Sequence, residues 1–293
     1  MRMNRYIYLM AIPVLAYFIL FHYIPMGGAV IAFMDYVPAK GILASKWVGF
    51  DNFISFFTSF QFGRLLKNTI LLSLLQLIWG FPLPILLALL INEVHSPRFK
   101  KGVQTISYMP HFISLVVICG IIQDFTSSEG VITQLFSLFG GPDSNLLLKP
   151  ELFRTIYVAS GVWQECGWGS IIYLSAMSAI DPGLYEAALI DGANRFKQLV
   201  HITIPCILPT IVILFIMRMG NVMSLGFEKV ILLYNPNIYE TADIISSYVY
   251  RRGLVEFDYS FSSAVGLFNS VINFALLVTV NRISSKVSEI SLW

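Results

Sequence analysis

The sequence predicts an all-α, polytopic membrane protein with six transmembrane helices, and three observations carry that reading. Of 293 residues, 56% are hydrophobic and only 12% are charged, whereas ordinary soluble domains are roughly 45–50% apolar and about 25% charged. The mean hydropathy is +0.72. The apolar residues gather in runs near the length of about 20 residues that a helix needs to cross hydrocarbon. No soluble core needs this much apolar surface, and the same numbers exclude disorder. Lys plus Arg number 19 and Asp plus Glu 17, a net charge of +2 that points to no nucleic-acid partner.

The first expected span covers 6–34, after a short head carrying Arg2 and Arg5. It is too long for a signal-peptide core of about 7–15 residues, and no A-x-A-like site ends it. It reads as a retained anchor, kinked at Pro13 and Pro25. The second, 65–91, contains Pro82 and Pro84, which a spanning helix tolerates where neighbours satisfy the freed carbonyls. The third is 108–122. The fourth, 153–177, carries the polar and glycine-rich insert from Trp163 to Gly169. The fifth runs from Ile207 to about Val222, and the sixth covers 261–280. The stretch 225–233 is apolar but too short to cross.

This count divides the chain into an anchor and external loop (1–64), a transmembrane core (65–280) and a tail (281–293). Six spans place both termini on one side. Arg2, Arg5, Arg98, Lys100, Lys101, Arg195, Lys197, Arg282 and Lys286 cluster in the short segments of that side, so basic density makes it the cytoplasm. Cys119, Cys166 and Cys206 are scattered singly and read as buried free thiols rather than a metal or disulfide framework. His22, His95, His111 and His201 have no carboxylate or Cys at ligand spacing, and none is assigned to a metal or to catalysis.

One loop is too polar for its neighbours. In 181–208, Asp181 is placed to cap a helix that begins at Pro182. Leu184, Ala187, Ala188 and Asp191 follow at helical spacing, and Gly192 permits a left-handed turn that ends the helix. A second amphipathic stretch, Phe196, Leu199 and Val200, leads to Pro205 and back into the membrane after Pro209. The result is a helix–turn–helix between two spans, with a pair of small alanines that lets another protein approach closely.

The series Glu186-Ala187-Ala188, Gly192, Ile202 and Pro205 resembles the EAA loop of binding-protein-dependent ABC importer permeases, with Ile204 a mild departure from the usual Leu. The resemblance extends along the chain. Tyr23-Ile24-Pro25-Met26, Trp47-Val48-Gly49-Phe50, Asn68-Thr69, Pro110-His111-Phe112-Ile113-Ser114 and Gly226-Phe227-Glu228 are similar to LplB-like polysaccharide permeases, a branch of the maltose-type, carbohydrate-uptake family. It implies the MetI-like type I importer fold in a bacterial inner or plasma membrane. It also implies a second homologous permease, two ATPase subunits, an extracellular solute-binding protein and an oligosaccharide substrate. Glu186, Ala187, Ala188, Gly192, Ile202 and Pro205 would then couple to the ATPase. The chain has no G-x-x-x-x-G-K-[ST] phosphate loop, so ATP and Mg are expected on the partner ATPases and no cofactor in this chain. No chain-long repeat is present, which leaves the second half of a pore to another permease.

Glu165 and Arg218 are the charged side chains deepest in expected spans, where each costs roughly 2.5–3.5 kcal/mol on insertion scales. Each therefore needs a partner or a water-filled cavity. One reading makes them substrate contacts; the other is a structural pair linking the fourth and fifth helices. Trp163, Gln164 and Trp168 favour the cavity, because ring faces and amides together hold a hydroxyl-rich ligand. In maltose-type permeases the sugar contacts lie on the spans before and after the EAA loop. By that resemblance Gln164, Glu165, Trp168, Arg218 and Asn221 are the substrate-path candidates. Gln76, Trp79, Asn269 and Asn273 are weaker ones, the two asparagines sharing a helix face. The resembling branch takes oligosaccharides from polysaccharides, some containing uronic acid, and Arg218 suits a carboxylate.

Two other functions compete. A membrane-embedded enzyme would need a set such as H-E-x-x-H or Ser/His/Asp, and none is visible. An ion-gradient-driven secondary carrier would show inverted repeats and intramembrane acids, of which Glu165 alone is present.

Overall fold

The computed structural model describes residues 5–288 and 290–293, with the backbone alone for 5–7. Arg2 and the side chain of Arg5, counted above in the basic head, lie outside it. The helices that frame the molecule are α1 (Arg5–Phe18), α2 (Asp51–Phe57), α3 (Phe62–Gly80), α4 (Pro82–Glu93), α5 (Pro97–Tyr108), α6 (Leu115–Thr126), α7 (Val131–Leu138), α8 (Pro150–Ser178), α9 (Pro182–Ile190), α10 (Arg195–Gln198), α11 (Ile204–Met219), α12 (Phe227–Leu233) and α13 (Tyr259–Ser288).

Among the described residues, five helical stretches are long and apolar enough to cross a bilayer: Tyr8–Phe33, Phe62–Glu93, Leu115–Leu138, Arg195–Met219 and Tyr259–Ser288. The remaining expected span, the fourth, is α8. Its 29 residues give about 43 Å at 1.5 Å per residue, ample to cross. Gln164, Glu165 and the glycines of its insert make it more polar than the other five. The third span differs from its expected 108–122. Pro110 lies in a short 3₁₀ turn, Met109–Phe112, after α5 has ended, because proline has no N–H to continue the helical ladder. Ser114 then caps α6, its hydroxyl accepting from the Val117 N–H at 3.4 Å, and the span runs on to Leu138. The fifth span also begins earlier than Ile207, since a π turn at Leu199–Thr203 joins α10 to α11.

The chain packs as two units. One comprises the residues up to Gly63 together with Tyr248–Ser270. In it a two-stranded ribbon pairs Met34 with Trp47 and Asp35 with Lys46. The Asn52 amide donates to the carbonyls of Ala32 and Met34, at 2.9 and 3.0 Å. Phe56 is buried among Phe57, Phe62, Phe261 and Phe268. The large apolar side chains of the first span from Tyr8 to Met26 stay exposed.

The other unit comprises Arg64–Ser247 and Val271–Trp293. One core cluster joins Leu72, Ile118, Phe153, Val158, Val230 and Ile244; another joins Ala88, Tyr173, Met177 and Ile207. Between these helices runs a buried polar staple. Asn68 donates to the carbonyls of Glu240 and Asp243, at 2.9 and 3.0 Å, and accepts from Arg154 at 2.8 Å. Thr69 accepts from the Ile245 N–H at 2.9 Å. Asp243 is fully buried and lies 3.6 Å from Arg64. Polar groups at this depth persist only when paired, and here the pairs fix the loop after α12 to α3 and α8. Asn273 ties α13 to the turn after α11: it accepts from the Met223 N–H at 3.0 Å and donates to Ser224 at 2.7 Å.

The three cysteines are free, as expected, but only Cys119 is buried. Cys166 is half-buried and Cys206 is exposed, on the outward side of the Pro205 turn.

Candidate functional site

The 181–208 loop is built from local rules. Asp181 caps α9, accepting from the Gly183 N–H at 2.9 Å, with Pro182 in the first turn. Gly192 has φ +74°, a conformation costly for any residue with a Cβ, and it turns the chain. Asn194 then caps α10 by accepting from Lys197 at 2.9 Å. Two bonds tie this hairpin to the helices behind it. Tyr185 and Thr203 join hydroxyls at 2.9 Å. The Arg195 guanidinium donates to His95 Nε2 at 2.9 Å and lies 3.8 Å from Glu93, both just beyond or at the end of α4.

No residue of α9 is buried. Glu186, Ala187 and Gly192 are exposed, Ala188 and Ile202 are half-buried, and Pro205 is exposed. Leu189 and Ile190 also face out, Ile190 at 87% exposure. A braced helix that leaves such residues uncovered has the character of a docking element rather than a folded-away loop.

The second region lies among α3, α8, α11 and α12. Two adjoining cavities, of about 290 and 410 Å³, share Gln76, Gly161, Glu165 and Arg218 as walls. Trp168 lines the smaller; Gln164 and Asn221 line the larger. All five substrate-path candidates therefore line one or both of these adjoining cavities, and Gln76 lines both. Trp79 and Trp163 do not. They line a separate apolar groove with Leu75 and Leu83, so the aromatic support for the cavity rests on Trp168.

Glu165 has a partner that the sequence did not reveal. His111 Nδ1 lies 3.0 Å from Glu165 Oε2; an ionised carboxylate only accepts, so the imidazole donates. The His111 ring also stacks on Trp168, with centroids 4.5 Å apart and planes 3° from parallel, and Phe112 meets Trp168 edge-on. Gly167 makes this contact geometrically available. A Cβ there would collide with the Ser107 carbonyl, so only glycine lets α8 approach the end of α5 closely enough. The Arg218 side chain makes no ion pair or hydrogen bond with any described residue. The reading of Glu165 and Arg218 as a structural pair with each other thus has no contact behind it.

Lys229 is the residue sequence reasoning missed. It lies on α12, a stretch set aside as too short to cross. It is 7% exposed, donates to the Tyr157 carbonyl at 3.2 Å and sits 4.9 Å from the centre of the Tyr157 ring. Its position in the wall of the larger cavity depends on tertiary packing that no spacing rule reports. Among the described residues no group of three or more His, Cys, Asp or Glu side chains could hold a metal ion.

Comparison with known proteins points the same way. Residues 51–289 match the family described as binding-protein-dependent transport system inner membrane component. The chain is similar to the polygalacturonan/rhamnogalacturonan transport system permease protein YteP of Bacillus subtilis, 48% identical over 98% of this chain and 89% of that one. It is similar to LplB of the same organism, 43% identical over 99% and 91% of the two chains. Among solved structures it resembles a chain of a bacterial ABC transporter involved in the import of the acidic polysaccharide alginate. That chain is 44% identical, the coverage is 98% and 97%, and the TM-score is 0.89. A second structure, of the alginate transporter in complex with its pentasaccharide-bound periplasmic protein, matches with TM-score 0.90 at 43% identity.

Proposed function

The chain belongs to the family of binding-protein-dependent transport system inner membrane components, and from that premise we propose that it forms half of the translocation path of an ATP-driven importer for acidic oligosaccharides. The observation that carries the substrate reading is its 48% identity, over 98% of its length, to a polygalacturonan/rhamnogalacturonan permease. The adjoining cavities supply chemistry suited to a sugar: amides of Gln76, Gln164 and Asn221, a ring face on Trp168 and the Arg218 cation.

The chain itself catalyses nothing. A second homologous permease completes the path, and an external binding protein delivers the oligosaccharide. Two ATPase subunits carry ATP and Mg, each permease seating its exposed hairpin on one of them. In this chain Glu186 meets polar groups of the ATPase, Ala187 and Ala188 make the closest approach, and Gly192, Ile202 and Pro205 set the hairpin's shape. Both termini and the 181–208 loop are cytoplasmic. A cysteine introduced at Asn194, with native cysteines replaced, reacts with an impermeant thiol reagent only from that side, and one at Asp143 only from outside.

Proteoliposomes holding this chain with the second permease and the ATPases test the function. Expected is oligogalacturonate uptake that needs ATP on the ATPase side and binding protein on the other. Uptake by this chain alone, driven by an ion gradient, would replace the reading with a secondary carrier.

A further inference from the structure

The larger cavity contains an imbalance of charge. Its walls carry two cations, Arg218 and Lys229, and one carboxylate, Glu165. Glu165 is already engaged by His111 at 3.0 Å. Neither cation has a carboxylate within ion-pair distance among the described residues. Lys229 is the more telling of the two. Its ammonium is buried, carries three donors, and meets only one carbonyl and one ring face. A buried charge so poorly compensated is costly to the fold and is retained where a counter-charge arrives from elsewhere.

The local shape shows where that counter-charge sits. At Gly161 an added Cβ would lie 3.1 Å from Gln76 Oε1 and 3.3 Å from Lys229 Nζ. The two polar ends therefore close in on Gly161 so tightly that any side chain there would press on both, and both belong to the wall of the larger cavity. Gln76 Oε1 is itself buried and has no hydrogen-bond partner. An acceptor without a donor and an ammonium without an anion thus face one small space, with a guanidinium in the same wall.

We propose that Lys229 and Arg218 form a carboxylate seat over Gly161, taking the carboxylate of a uronic-acid residue while Gln76 accepts from one of its hydroxyls. The inference rests on the transport reading above and adds the residues that read the acid. Charge-assisted bonds of this kind are shorter and about twice as strong as neutral ones. The methyl ester of the same sugar keeps its shape and hydroxyls but lacks the anion. The seat therefore discriminates acid from ester.

The test uses the purified complex of this chain with its second permease and ATPases, without binding protein, and measures equilibrium binding of trigalacturonate and of its methyl ester. The wild-type complex is expected to prefer the acid by about tenfold or more, the discrimination a buried charged contact gives. Lys229→Met brings the two ligands to within about threefold, and Lys229→Arg restores most of the preference. Arg218→Gln, at a more exposed position, gives the same direction if Lys229→Met lowers complex yield. Equal binding of acid and ester by the wild type, or an undiminished preference in both Lys229→Met and Arg218→Gln, overturns the seat and leaves the transport reading standing. A wild-type complex that binds neither ligand overturns both.

Discussion

His111 lies flat on Trp168, ring centroids 4.5 Å apart, and is held there by its hydrogen bond to Glu165. The ring face best placed to stack on a sugar is thus covered by a protein side chain. A sugar that uses this face has to displace the imidazole, and the Glu165 carboxylate is then free to accept from a sugar hydroxyl. The arrangement makes His111 a competitor for the site rather than a contributor to it.

Removing the competitor follows directly. Because the Glu165 side chain is 53% exposed, water can take the place of the imidazole, and His111→Ala assembles normally. Its apparent KM for oligosaccharide uptake is expected to fall several-fold, roughly 1 kcal/mol in favour of binding, the scale of an aromatic contact relieved. Uptake kinetics at fixed ATP check this. An unchanged or raised KM removes the competitor role.

Pairing of Glu165 is separable by a double-mutant cycle on complex stability. Glu165 and His111 should couple by about 0.2–1 kcal/mol, the range for an exposed ion pair. Glu165 and Arg218 should show no coupling, so Glu165→Gln with Arg218→Met recovers nothing beyond the sum of the singles. Rescue by that double variant would restore the structural pair.

Asn68 is the keystone of the polar staple, making three side-chain hydrogen bonds to Glu240, Asp243 and Arg154. Asn68→Leu leaves two buried carbonyls and a guanidinium without that partner, at about 1–3 kcal/mol for each unsatisfied group. Thermal unfolding of the purified complex should shift down by several degrees. A variant as stable as wild type would show that water replaces the amide at that depth.

At the hairpin, Ala188→Trp adds a large side chain at the face expected to approach an ATPase. Membrane insertion and yield should be unchanged, because no residue of α9 is fully buried within the chain. ATP-driven uptake should fall to background while ATP hydrolysis continues. Normal uptake by this variant takes the coupling role away from α9.

What the sequence discloses here, and what it hides, follows from the range of each interaction. The α9 hairpin is legible because its determinants are local: the Asp181 cap, Pro182, and the positive φ at Gly192 are all set by neighbours within a few residues. Five spans are legible because length and hydropathy are properties of continuous stretches. α8 is legible as a helix, and its polar insert is legible as a cavity wall, since Gln164, Glu165 and Trp168 line the cavities. The third span is misplaced because Pro110 permits either a kink or a stop, and Ser114 supplies a cap that selects the stop. His111 and Lys229 stay hidden for a different reason. Each acquires its role from a partner 54 or 72 residues away, Glu165 or Tyr157. Only packing at Gly167 and Gly161 brings those partners together.

The account's central claim is that the cavity beside α8 is the sugar's path and that the hairpin drives it. The most direct measurement is uptake and ATP hydrolysis, in the same proteoliposomes, by the Trp168→Ala, Gln164→Ala double variant. Both residues are at least half-exposed to the cavity side or partly so, and neither holds the core together. The account predicts an assembled complex with basal ATP hydrolysis intact and oligosaccharide uptake reduced by about a hundredfold, the loss of a stacking face and an amide contact together. Wild-type uptake by that double variant contradicts it.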